Sequence, residues 1–171
     1  MEMPRLWELA DFIRSTRRRM RFGEFSRAPL RLLRVEIVER SAECDWMMRP
    51  PDVWDESLGR GAREHIESQQ GLADAITMRA FLFDSLPHVE NAVLRAFHQT
   101  DREPPELMIL GTVSRESPDV HRVSSMAMRA KLYGFCFCLG NGFLRPLQQG
   151  MEEQGEEFDS SVGDPRGSRR M

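Results

Sequence analysis

Lysine is almost missing from this 171-residue chain: Lys131 is the only one, and the other basic residues are all arginine. That is a compositional bias and carries no function by itself. No apolar run approaches the roughly 18–20 residues that a membrane-spanning helix needs. The three cysteines, Cys44, Cys136 and Cys138, are odd in number and follow no framework spacing, which fits a reducing compartment better than secretion. On a strand, Cys136 and Cys138 would share a face roughly 7 Å apart, a poor geometry for a mutual disulfide. The N-terminus places its charges after its apolar residues, the reverse of a signal peptide, so the cytoplasm is the expected compartment.

Chemical motifs are equally scarce. The phosphate-binding pattern G-x-x-x-x-G-K-[ST], the dinucleotide pattern G-x-G-x-x-G and an EF-hand loop are all lacking. His65, His88, His98 and His121 show neither the H-x-x-x-H spacing of a zinc site nor a nearby cysteine partner. Cys44 lies between Glu43 and Asp45, whose charges would raise its thiol pKa and make it a poor nucleophile. Ser114 and Ser117 with His121 suggest hydroxyl chemistry, but no nucleophile elbow accompanies them. The balance leans away from an enzyme, and no catalytic residue, metal or cofactor is assigned.

What is present is pattern and charge. The net charge of −3 is unevenly spread. Residues 1–27 hold seven arginines against four acids, whereas residues 151–171 hold six acids against three arginines. A basic head and an acidic tail therefore flank a mildly acidic body. Pro4, then Leu6, Leu9, Ala10 and Ile13 at helical spacing, predict an amphipathic helix or extension over 1–20, its end loaded by Arg14, Arg17, Arg18 and Arg19. Residues 21–149 read as a single α+β domain. Residues 150–171 have little to bury and are expected to be disordered.

Within the domain, LRLLRVEIV (30–38) and the alternating residues after Ser41 predict a hairpin that Pro50-Pro51 ends. A helix is expected from about 62 to 85, its middle weakened by Gly71. Strands follow near 89–98 and 106–113, then a short helix capped by Ser124 or Ser125. FCFCL, a tight Asn141-Gly142 turn and FLRPL close the domain. If each outer hairpin contributes one main strand, the plan reduces to a ferredoxin-like βαββαβ sheet with helices on one face.

KLYGFCFC (131–138) resembles the RNP1 element of RNA-recognition motifs through Lys131, Tyr133, Gly134, Phe135 and Phe137. It departs from that element at Leu132 and Cys138, and it lies on the last strand region instead of the third. The resemblance implies aromatic side chains exposed for base stacking.

Three functions fit these features. The favoured one is a non-catalytic interaction or assembly module that pairs through its sheet, as a homodimer or with another protein. Its motive is the run 106–113, apolar on both faces. Met108 and Leu110 would lie on an open face, covered by Leu6, Leu9 and Ile13 of the N-terminal helix. The second is a small-molecule-binding domain or enzyme with its site between the sheet and the 50–61 loop, lined by Trp46, Asp52, Trp54 and Asp55. The third is an RNA-binding module using Arg17, Arg18 and Arg19 with Lys131, Tyr133 and Phe135. Arg14 and Arg21 extend that basic set, which could also grip phosphate or an anionic membrane surface.

Overall fold

The computed structural model describes residues 6–148, so the expected acidic tail lies outside the described residues. Helix α1 (Leu6–Arg19) leads through an irregular segment into the hairpin β1 (Arg31–Val38) and β2 (Ser41–Met47). A short 3-10 turn (Val53–Ser57) precedes the long helix α2 (Arg60–Ser85). Next come β3 (Asn91–His98) and β4 (Glu106–Ser114), helix α3 (Met126–Leu132), and the hairpin β5 (Phe135–Gly140) and β6 (Phe143–Arg145).

All six strands join one sheet in chain order, β1-β2-β3-β4-β5-β6. This corrects the ferredoxin-like βαββαβ expectation. Both strands of each outer hairpin belong to the sheet, and only β2 and β3 are parallel neighbours, joined through α2. A ferredoxin-like order needs two crossover helices. The seven-residue α3 instead returns the chain to pair β5 antiparallel beside β4.

The sheet alternates as the residue pattern requires. Ala42, Cys44 and Trp46 of β2 lie beside Ala92, Leu94 and Ala96 of β3, and all six are buried. They form one core with Leu72, Ala75, Met78 and Leu82 of α2. Burying a large apolar side chain of this kind stabilises by roughly 1.5–3 kcal/mol. Gly71 does not interrupt α2, because the space a Cβ would take is filled by Met48, whose Cε lies 2.7 Å from that position. Met48 thus packs against the helix where any larger residue at 71 would stand. The β5–β6 turn is built as expected, with positive φ at Asn141 (55°) and Gly142 (82°).

Helix α1 does not cover the open sheet face. Its Phe12 ring stacks on Phe81 of α2 at 5.6 Å, so both helices occupy the same side of the sheet. Leu6 is 81% exposed, while Leu9 and Ile13 are half-buried. Met108 is buried on the helix side too. A register shift between Ala96 and Phe97 pairs Ala96 with Ile109 and Phe97 with Leu107. Met108 is therefore the extra residue of a bulge, turned inward with Met48 and Ser68. Of the expected patch, only the half-buried Leu110 remains on the open face, beside Arg95 and Cys136 in the ladder.

Candidate functional site

Segment 20–30, between α1 and β1, has no regular structure, so its backbone polar groups need other partners. Gln70 of α2 supplies one, its Oε1 accepting from the backbone N–H of Phe25 (2.6 Å) and Ser26 (2.9 Å). Its Nε2 donates to Asp74 Oδ1 at 2.9 Å. Asp74 also accepts two bonds from Arg49, at 2.8 and 3.0 Å. Arg49 in turn donates from Nη1 to the carbonyls of Ala28 (2.8 Å) and Arg21 (3.3 Å). Burial pushes the Asp74 carboxyl above its ordinary pKa, against the opposing pull of Arg49 and Gln70. Arg49, Gln70 and Asp74 thus form a buried latch that holds the segment on the body. Residue patterning did not reveal it, although two charged residues at otherwise buried positions of β2's end and α2 were the available signal.

The latch fixes one wall of a groove of about 690 Å³ between α1 and β1. Arg14, Arg17 and Arg18 reach it from α1, Arg21 from the segment beyond, and Arg31 from the first residue of β1. Pro29, Leu30 and Leu32 complete its lining. Among the described residues, none of the five guanidinium groups forms an ion pair. Five like charges around one concavity repel each other, and a bound anion relieves that repulsion. Arg19 points elsewhere, its guanidinium lying 5.2 Å from the centre of the Phe81 ring. The expected trio is therefore split, and Arg31 joins Arg17 and Arg18 only because the fold lays β1 beside α1.

The RNP1-like string forms no stacking platform. Phe135 is buried on the helix side, its ring filling the space where a Cβ on Gly111 would lie. Tyr133 sits beneath the Arg79 guanidinium at 4.4 Å, and the Lys131 ammonium lies over Phe137 at 5.6 Å. Strand alternation sends Phe135 and Phe137 toward the helices and leaves Cys136 and Cys138 exposed.

The residues expected around the 50–61 loop do not converge either. Trp46 is fully buried, because its strand parity faces α2, whereas Trp54 is 82% exposed. Asp52 accepts the Arg27 N–H at 3.0 Å and so ties the loop to segment 20–30, while the Asp55 backbone carbonyl accepts from Leu58 N at 2.9 Å at the end of the 3-10 turn. Cys44 is a core thiol that burial pushes up to about 12, with the Asp45 charge adding to the effect.

The open sheet face carries a charge lattice. Arg95 bonds Glu43 (3.0 Å) and Asp45 (3.1 Å), while Arg34 bonds Glu43 (3.0 Å) and Glu36. The Arg95 hydrogen bond holds the Glu43 carboxyl below its usual pKa, ahead of the opposing effect of burial.

A second cleft, of about 320 Å³, lies between α2 and the ends of β3 and β6. His98 Nε2 meets Glu67 Oε1 there at 2.9 Å, with Glu64, Glu106, Arg60 and Arg145 also lining it. The Glu67 bond raises the His98 pKa above 6.5, burial opposes it, and the charges of Glu67 and Glu106 add to the rise. A histidine whose folded pKa is raised stabilises fully below its unfolded value. That contribution disappears as pH climbs through the higher folded value. The urea midpoint of the native protein should therefore fall between about pH 6 and 8. Glu67→Gln should flatten this part of the profile, and an unchanged slope in the variant would remove His98 as its source.

No family model, curated protein or solved structure matches the chain. Among the described residues no helix is long and apolar enough to cross a membrane, and no cluster of three histidine, cysteine or acidic side chains is placed to hold a metal ion. The arginine groove, with its five guanidinium groups, therefore has to be read from its own geometry.

Proposed function

We propose that the protein is a non-catalytic binding module whose arginine groove takes a phosphate-bearing ligand. One observation carries this reading: five arginines without acidic partners line a single concavity that also presents Pro29, Leu30 and Leu32. Guanidinium groups offer planar forks of N–H donors that match phosphate oxygens in pairs. The groove volume falls in the usual range for ligand sites, about 300–1,000 Å³. Of the sequence-based expectations, this preserves the basic α1 end of the nucleic-acid reading without its strand aromatics.

The test is binding of inorganic polyphosphate by calorimetry at low salt. Replacing Arg14, Arg17 and Arg18 together by Ala should weaken binding by about 100-fold or more, since charge-assisted bonds contribute about 1.5–3 kcal/mol each. The salt dependence should flatten as phosphate contacts are lost. Equal affinity in the triple variant, or no binding by the native protein, overturns the proposal.

The sheet-pairing reading keeps one supporting observation, at the edge instead of the face. Among the described residues, strand β1 has no neighbour on its outer side. Pairing it antiparallel with a second copy about Val35 would set Arg34 opposite Glu36 twice, with exposed Leu33 (42%) and Val38 (57%) flanking. A bulge at Leu33 shortens the regular stretch available. Sedimentation should then show a dimer at tens of micromolar, and Glu36→Arg should shift it toward monomer. A native monomer at those concentrations removes this reading.

A further inference from the structure

We infer that the groove's ligand is a single-stranded nucleic acid, with its phosphates held by the groove arginines and a base stacked on Trp7. The inference rests on the phosphate-binding reading of the groove and names its ligand. Trp7 is 60% exposed on α1. At 100° per residue, positions 7, 14 and 18 fall within about 20° of one line along a helix. Trp7, Arg14 and Arg18 therefore share the outward stripe of α1, the stripe that borders the groove. From Trp7 to Arg18 the stripe extends roughly 16 Å, at about 1.5 Å per residue, which suits an extended ligand better than a compact one.

An exposed indole in line with unpaired arginines combines the two elements of sequence-tolerant single-strand binding. Cations follow the backbone, and an aromatic face receives an unstacked base. A duplex keeps its bases stacked inside and offers nothing to the indole. A bilayer fits poorly, because the other face of α1, with Phe12 and Thr16, is already buried in the body. The outward face would then have Leu6 and Trp7 to insert, with Phe22 beyond the helix end, too few apolar side chains for a stripe that lies in a membrane interface.

The experiment measures fluorescence anisotropy of a labelled single-stranded oligouridylate at low salt. Inorganic polyphosphate, duplex DNA of equal length and phosphatidylserine vesicles serve as competitors, and unchanged melting controls for the fold of each variant. Trp7→Ala should weaken oligouridylate binding about tenfold while leaving polyphosphate affinity unchanged. In a Trp54→Phe background, where Trp46 is buried, oligouridylate should quench the remaining exposed indole. If Trp7→Ala binds both polyanions as the native protein does, the stacked base is overturned and the phosphate groove stands. If duplex or vesicles compete better than single strands, the inference is likewise overturned. Binding of no polyanion at all overturns the groove reading together with it.

Discussion

Asp74→Ala should cost about 3–5 kcal/mol of folding stability, because it leaves the Arg49 guanidinium buried without its counter-charge. Arg49 and Asp74 side chains are only 1% and 4% exposed, and their bidentate contact at 2.8–3.0 Å has no solvent to replace it. The loss extends beyond the pair, since Gln70 gives up an acceptor at 2.9 Å while still holding the backbone of residues 25 and 26. A stability of about 5–15 kcal/mol is ordinary for a domain of this size, so the variant should be partly unfolded at 37 °C. Urea denaturation checks it. The double change Arg49→Met with Asp74→Leu removes both charges and should recover much of the loss. A double variant no more stable than Asp74→Ala would show that the latch matters for its hydrogen bonds to segment 20–30 and not for charge balance.

Gly111→Ala should be the most damaging small substitution in the sheet, lowering stability by about 2–3 kcal/mol through overpacking. A Cβ there would overlap the Phe135 ring, and Phe135 is the direct ladder partner of Gly111. Phe135 is buried in the core beneath the helices, so the ring has no open side to move toward. A melting temperature roughly 5–10 °C lower is expected. Adding Phe135→Leu should cost less in the Gly111→Ala background than in the native one, because the two changes relieve the same overlap. Strictly additive losses would place the strain elsewhere.

Elements were legible in the residue pattern where periodicity was strong. The β1–β2 hairpin, α2, β3 and β4 lie within about two residues of their expected bounds, because apolar alternation and helical stripes report directly on burial. The order of strands was not legible. Alternation says which face a side chain takes and nothing about which strand lies beside which, so the same hairpins suited two topologies. Met108 shows a second limit. A run apolar on both faces signals two covered faces when the strand is regular, but the β3–β4 bulge turns two consecutive residues the same way. The candidate site divides similarly. Arg17 and Arg18 were visible as the basic end of an amphipathic helix, whereas Arg31 is ordinary in sequence and gains its place only from tertiary packing.

A sheet whose strands follow chain order also sets the sequence of folding events. Four of its five strand pairings join consecutive strands antiparallel, and three of these are hairpins that close short loops. Such local pairings form quickly, on the order of 1–10 μs for a hairpin. The β2–β3 pairing is different, since its parallel partners are separated by the turn at 53–57 and the whole of α2. Its closure must carry the entropy of that long connection before any contact offsets it. The rate-limiting nucleus is therefore expected in β2, α2 and β3, centred on Cys44, Trp46, Leu94 and Met78. The β1–β2 and β3–β4 hairpins then act as preformed units that this one crossover brings together, and β5–β6 adds beside β4.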